Sequence, residues 1–457
     1  MIELSPEQIA AEAHAEIVTR GPDSHPERAV IDSREVRRGD LFVGIAGEHI
    51  DGGRFSSDAL SAGAWGVLVD PVHTADLDSG PSGQGWVLSS ADPQASLQLL
   101  ARAWRRKLGC PLVAITGSTG KTSVKDIVRA LLPRRVHASP QNFNTEIGLP
   151  LALLSAPPET EILVMEMAMR GIGQIEQLCR IAEPDVAAIT NVGPVHLELL
   201  GTIEAIAEAK AEVLAGLSNE GRAVVPAAAE GLVPHLHDEL VTFTFGPGGD
   251  VFTESATVAR CSTTAVIGSP HGEASFELPF REAYNLANVV CAVAIGVALG
   301  FEPAQMAPRA VRIEFSRLRG ERVFLKDRIL LLNDCYNANP ISMRAALENL
   351  ATEDPLGSGR RLAILGGMGE LGPESAAFHE EAAALARERG IEPLIGVGEL
   401  AKDYLPDRWV ATPHEAAELA ARELHPGDIV LIKGSRSVGL ELVADELRIA
   451  LGEAEPQ

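Results

Sequence analysis

Residues 112–122 read Leu-Val-Ala-Ile-Thr-Gly-Ser-Thr-Gly-Lys-Thr, and they restrict the possible folds more than any other stretch. The apolar run 112–115 has the length and character of a buried strand. Beyond it, Val124, Ile127, Val128, Leu131 and Leu132 recur at helical spacing. The order is strand, glycine-rich loop, helix. Such a loop turns backbone N–H groups and the positive end of a helix toward phosphate oxygens. Gly117, Ser118, Thr119 and Gly120 form the expected cradle, with Lys121 reaching the outer phosphates and the Thr122 hydroxyl able to hold Mg²⁺. The pattern is shorter than the full Walker sequence, which needs a glycine where this chain has Ile115. A turn that merely happens to contain Lys-Thr is the plain alternative, and the flanking strand and helix argue against it.

A chain of 457 residues suggests two to four domains with sizeable cores. The formal net charge of −24 argues against general affinity for nucleic acid or anionic membranes, though not against nucleotides held by local loops and arginines. The five cysteines show no paired spacing. Cys110, Cys179 and Cys291 sit in or beside apolar runs and read as core residues of a protein kept in a reducing, cytoplasmic environment. Ser5-Pro6-Glu7-Gln8 looks like a capped helix start rather than a signal peptide. The longest apolar run, 289–301, is too short to span a bilayer.

Three units are expected. In residues 1–105, glycine-bounded strands flank Asp32-Ser33-Arg34, and another strand covers 65–69. Ser33 and Arg34 at a strand end could grip an anion; an ordinary surface arginine fits equally well. The second unit, 106–312, opens with the phosphate loop. Its polar cluster Gln141-Asn142-Phe143-Asn144-Thr145-Glu146 precedes Ile147-Gly148-Leu149-Pro150. Strands 162–165 and 186–190 run into Glu166 and into Asn191-Val192-Gly193-Pro194-Val195-His196. Strands separated by helices predict a parallel sheet with ligands beyond its carboxyl ends. Thr122, Glu166 and His196 therefore converge, and hydroxyl, carboxylate and imidazole could share a magnesium site. Residues 202–217 predict a helix whose apolar stripe contains Lys210. Either its stem snorkels past that face, which the pattern alone favours, or its amine is desolvated and available for chemistry. Residues 246–249 predict a loop, 276–280 a strand, and 284–299 an apolar helix. In the third unit, 313–457, strands at 330–332, 362–365 and 428–432 again run into polar or glycine-rich loops. A helix is expected over 342–350 and a surface loop over 353–359. The fold class is α/β, with the third unit a second doubly wound domain.

Taken together, these blocks resemble the Mur ligases, ATP-dependent amide-forming enzymes of peptidoglycan precursor synthesis. The resemblance rests on Asp32-Ser33-Arg34, 116–122, 142–154, 164–167, 189–196, Lys210, Asn285 with Asn288, Asp334-Cys335-Tyr336-Asn337-Ala338-Asn339-Pro340, and Lys433-Gly434-Ser435-Arg436. The Tyr-Asn-Ala-Asn-Pro block and the asparagine-rich loop are similar to those of members that add D-alanyl-D-alanine to UDP-N-acetylmuramoyl-tripeptide. The resemblance implies an N-terminal UDP-binding domain (1–105), a central P-loop ATPase domain (106–312) and a Rossmann-like C-terminal domain (313–457). It implies that Lys121 contacts the ATP phosphates, that Thr122 and Glu166 hold one Mg²⁺, and that His196 and a carbamylated Lys210 serve a second. Asn285, Asn288, Arg317 and Asp334 would hold adenine and ribose. Ser33, Arg34, Asn142, Asn144 and Thr145 would hold the UDP-sugar-peptide. The implied enzyme is a cytoplasmic monomer acting on small molecules, with no nucleic acid and no membrane segment.

Five positions depart from the family pattern. Gly53 stands where a histidine is usual, Ala168 replaces a glycine, Tyr284 a histidine, and Asn333 and Gly367 each an aspartate. They leave open a divergent relative joining another acid and amine, such as a folylpolyglutamate-synthase-like ligase. A non-catalytic nucleotide-binding regulator is the other alternative.

Overall fold

In the computed structural model, which describes residues 2–75, 77, 85–140 and 142–454, the phosphate loop joins strand Leu112–Thr116 to helix Lys121–Leu131. The strand is buried throughout, as a parallel strand covered on both faces must be. It lies inside a six-stranded parallel sheet ordered Val241–Phe245, Arg222–Pro226, Val186–Ile189, Leu112–Thr116, Ile162–Glu166, Val136–Ala138. The chain leaves the central strand toward neighbours on both sides, so a crevice opens beyond their carboxyl ends. That topology brings together the residues following three strands far apart in sequence.

Helices cover both faces of this sheet. On one, Val124, Ile127, Val128 and Leu131 pack with Val289, Val293 and Val297 of helix Ala283–Ala298. On the other, Leu97, Leu100 and Trp104 of helix Pro93–Leu108 share a core with helices Gln174–Ala182 and Ile203–Ala215. Cys110, Cys179 and Cys291 are buried in these cores as expected. Ser5 caps helix Pro6–Glu12 with Gln8 completing the capping box.

One region holds the expected loop at 246–249 and part of the expected strand at 276–280, and two further strands besides. Phe252–Val258, Thr263–Ser269 and Gly272–Leu278 form an antiparallel sheet of their own. Its second and third strands contribute Ala265, Ile267, Phe276 and Leu278 to the core shared with helix Ala283–Ala298. Its first strand is largely exposed and polar, so it lacks the apolar alternation that marks a half-buried strand.

Ahead of the central sheet, a five-stranded sheet runs Glu16–Thr19, Trp86–Ser89, Gly66–Val69, Leu41–Val43, Ala29–Val30, antiparallel only at its first pairing. The last sheet runs Glu321–Phe324, Leu330–Asn333, Ile429–Lys433, Arg361–Gly366, Leu394–Val397, Arg408–Val410, and again only the first pairing is antiparallel. Residues 353–359 form the expected loop except at its first residue. Glu353 is 3% exposed and paired bidentately with Arg322. Among the described residues, no single helix is long and apolar enough to cross a membrane.

Candidate active site

Two glycines make the phosphate loop possible. Gly117 has φ 146°, and a Cβ there would run into the Thr190 hydroxyl. Gly120 has φ 80°, and a Cβ would lie 2.6 Å from Asn288 Oδ1. Both positions need a residue without a side chain. The loop is braced from the neighbouring strand end: Thr119 N–H donates to Asn191 Oδ1 at 2.9 Å, Ser118 Oγ donates to the Gly193 carbonyl at 3.0 Å, and Thr190 Oγ1 donates to the Thr119 carbonyl at 2.6 Å. Lys121 is the first residue of the helix and folds back, its Nζ donating to the Gly117 carbonyl at 2.8 Å.

Thr122 Oγ1 donates to Glu166 Oε2 at 2.8 Å, joining loop to adjacent strand end as the topology requires. Asn144 Nδ2 donates to Glu166 Oε1 at 2.9 Å. Burial opposes a charge on Glu166, but Lys121, Arg319, Lys125 and the Thr122 hydroxyl hold its pKa below the usual carboxylate value. Burial lowers the pKa of Lys121, with Glu166 opposing the shift. These are oxygen donors of the kind Mg²⁺ prefers, set among cations that suit a polyphosphate.

His196 follows the third strand end, in the left-handed conformation at φ 55°, and begins the short helix Leu197–Leu200. Its Nδ1 meets the carboxylate of Glu370. Burial, with the charges of Lys210 and Lys121, lowers the His196 pKa against the opposing pull of Glu370. Lys210 lies on helix Ile203–Ala215 and is 2% exposed, flanked by buried Ile206, Ala207, Val213 and Leu214. Its stem does not carry the amine out to water, so it does not snorkel. Burial, then the charge of Lys121, push its pKa well below that of an ordinary lysine. Among the described residues Lys210 has no hydrogen-bond or ion-pair partner.

The C-terminal sheet closes over this edge. Asn339 Nδ2 donates to the Ser118 carbonyl at 3.4 Å, Ile341 packs against Gly193, and the Tyr336 hydroxyl bonds Asn142 Oδ1. Asp334 follows strand Leu330–Asn333 and is held by buried Lys433, whose Nζ reaches Asp334 Oδ2 at 2.6 Å and the Asn337 carbonyl at 3.1 Å. The resulting cleft has a volume of about 860 Å³.

The structure brings into this lining Ser118, Thr119, Gly120, Lys121, Thr122, Asn142, Asn144, Thr145, Glu166, His196, Asn288 and Asp334. Asn285 is buried behind it, its Oδ1 accepting from Asn288 Nδ2 at 3.4 Å. Gln141, the first residue of the polar cluster, lies outside the described residues. Ser33 and Arg34 stand apart from the cleft, beyond the carboxyl end of strand Ala29–Val30, and Arg34 closes on Asp32 at 2.6 Å. Arg317 is exposed and outside the lining. Arg170, Arg319 and Arg436 line the cleft instead, and the one that reaches the phosphate loop is Arg319, which the sequence reading passed over. Its Nη2 donates to Thr122 Oγ1 at 3.0 Å and its guanidinium lies 3.8 Å over the Tyr336 ring. Of the departing positions, Ala168 and Tyr284 line the cleft; Gly53 packs against the His73 ring far along the chain from it.

Comparison with known proteins agrees with this geometry. Residues 115–296 match the Mur ligase middle domain, and 318–436 the Mur ligase, glutamate ligase domain. The chain is 34% identical to the UDP-N-acetylmuramoyl-tripeptide–D-alanyl-D-alanine ligase of Bacillus subtilis, over 91% of this chain and 92% of that one. A crystal structure of MurF from Acinetobacter baumannii superposes with a TM-score of 0.85 at 26% identity, covering 98% of this chain and 99% of the other. MurF ligase from Thermotoga maritima, solved in complex with ADP, gives 0.79 at 30% identity over 93% and 97%. With the phosphate loop, the carboxylate beside it and the docked C-terminal sheet all in place, the chain belongs to the Mur ligase family.

Proposed function

We propose that this protein is an ATP-dependent ligase that joins D-alanyl-D-alanine to UDP-N-acetylmuramoyl-tripeptide in peptidoglycan precursor synthesis, working as a cytoplasmic monomer. The observation that carries the reading is the Thr122–Glu166 contact beside Lys121, at a sheet edge closed by the C-terminal Tyr-Asn-Ala-Asn-Pro segment. A carboxylate is a poor acylating agent. Transfer of the ATP γ-phosphoryl group to the peptide carboxylate yields an acyl phosphate and ADP. The dipeptide amine then attacks the acyl carbon, and phosphate leaves.

The chain's own groups do the binding and positioning. The Ser118–Thr122 backbone cradles phosphate oxygens, and Lys121 and Arg319 offset the charge that builds on the transferring group. Thr122 and Glu166 would hold one Mg²⁺, and His196 with Lys210 a second. The structural support at Lys210 is a buried side chain whose amine has no anionic partner among the described residues. Addition of CO₂ to its neutral form, with loss of a proton, would give an anionic oxygen ligand. Bound Mg²⁺ supplies charge neutralisation across the phosphates. Asn285, Asn288 and Asp334 are assigned to the nucleoside, Asn142, Asn144 and Thr145 to the acid substrate near its reacting end, and Ser33 and Arg34 to its UDP end. Asn339 and Ile341 seal the loop from above, where water would otherwise hydrolyse the acyl phosphate.

The test is an ADP-release assay over a matrix of acids and amines. Release should require the UDP-linked tripeptide and D-alanyl-D-alanine together, and Lys121→Ala should abolish it in a folded protein. Turnover with a folate and glutamate, or with another acid–amine pair instead, would assign the chain to a divergent branch. Nucleotide binding without turnover on any pair would make it a regulator.

A further inference from the structure

His196 belongs to the edge of the central sheet, yet the group that fixes its ring comes from the C-terminal one. Glu370 lies in the loop after strand Arg361–Gly366. Its φ of 61° is left-handed, a conformation that side chains rarely adopt and that costs energy unless its surroundings enforce it. Here the Glu198 N–H donates to the Glu370 carbonyl at 3.2 Å. The Glu370 carboxylate meets His196 Nδ1 and lies 3.4 Å from Arg170 Nε. Gly372 presses on the same place, where a Cβ would lie 3.3 Å from Glu198 Cα. Backbone and side chain together therefore aim this carboxylate.

An ionised carboxylate accepts hydrogen bonds and has no proton to give. The ring nitrogen that meets it carries the hydrogen, and in the neutral imidazole Nε2 keeps the lone pair. A histidine needs that lone pair to bind a cation, and a carboxylate on the other nitrogen is what holds such a ring in tautomer and direction.

We propose that Glu370 is a positioning residue for His196, so that the His196–Lys210 metal position is completed only when the C-terminal sheet is docked. The inference rests on the reading of His196 as a metal ligand. It links closure of the C-terminal sheet to the readiness of the site: a chain splayed open loses the ring's orienting partner along with the cover over the phosphate loop. A surface ion pair with Arg170 would not need the left-handed backbone or the bond to Glu198.

The test uses the full chain with the non-hydrolysable nucleotide AMP-PNP and Mn²⁺, counting bound Mn²⁺ by electron paramagnetic resonance. Wild type should bind about two Mn²⁺. Glu370→Ala should keep the tighter one and weaken the other about 10–100-fold. Glu370→Gln, whose carbonyl can still accept from Nδ1, should recover part of the loss. In a His196→Ala background, adding Glu370→Ala should change Mn²⁺ affinity by less than about twofold, because the two residues act as one unit. Circular dichroism verifies that each variant is folded. Unchanged Mn²⁺ affinity in folded Glu370→Ala, or an additional full loss in the His196→Ala background, would overturn the positioning role alone. Wild type binding fewer than two Mn²⁺ would remove the metal reading of His196 and the positioning role with it.

Discussion

A lysine that is 2% exposed, with no anionic partner for its amine among the described residues, is costly to keep charged. Lys210→Ala should therefore be well tolerated by the fold yet lose most ligase activity, and acetate should restore part of it by supplying oxygens in the vacated space. An added amine should not rescue. Full activity in Lys210→Ala, measured by ADP release, would return the residue to a packing role. The position of Lys210 on an apolar stripe was legible from helical spacing alone, but the periodicity could not say whether its stem reached water. That depends on how helix Ile203–Ala215 is covered by its neighbours in the core. The nucleotide-side arginine was less legible. Arg317 and Arg319 are two residues apart and would share a face in an extended chain. Leu318 between them has φ 65°, which breaks that alternation and puts Arg319, but not Arg317, in the cleft lining.

At the level of elements, the strand, loop and helix around residues 112–131 could be read from the sequence because local pattern and tertiary role agree there. The shortened glycine pattern also has its explanation in the structure, since Gly117 and Gly120 are the two positions pressed against Thr190 and Asn288. Gly120→Ala should destabilise the loop by about 1–2 kcal/mol through its positive φ alone. It should also weaken AMP-PNP binding through the clash with Asn288. Thermal unfolding with and without AMP-PNP checks both, and an unchanged ligand-induced rise in Tm would contradict the second. Of the antiparallel sheet of residues 252–278 only the end of its last strand could be read, because its exposed first strand carries no apolar period. The Lys433–Asp334 pair was also beyond reach: the two residues are neighbours only because strands Leu330–Asn333 and Ile429–Lys433 pair in parallel.

At the scale of the whole molecule, the catalytic edge is shared. The central sheet supplies the phosphate loop, Glu166 and His196, while Lys210 lies on helix Ile203–Ala215, outside the cleft lining. The segment leading into the C-terminal sheet supplies Arg319, and that sheet brings Tyr336, Asn339 and Glu370 against them. The parallel sheets were legible from recurring strand–loop–helix blocks, whereas the contacts between them were not, since each depends on how sheets dock. Such an enclosed edge suits an intermediate that water would destroy. Ligation through an acyl phosphate makes a demand on the fate of one oxygen atom: when the amine displaces phosphate at the acyl carbon, the bridging oxygen, once part of the peptide carboxylate, departs with phosphorus. The direct measurement is therefore ligation with the tripeptide carboxylate labelled with ¹⁸O, followed by mass spectrometry of the released phosphate. One labelled oxygen per phosphate, and one phosphate per D-alanyl-D-alanine joined, is the expected result; unlabelled phosphate, or phosphate released without a new amide bond, would contradict it.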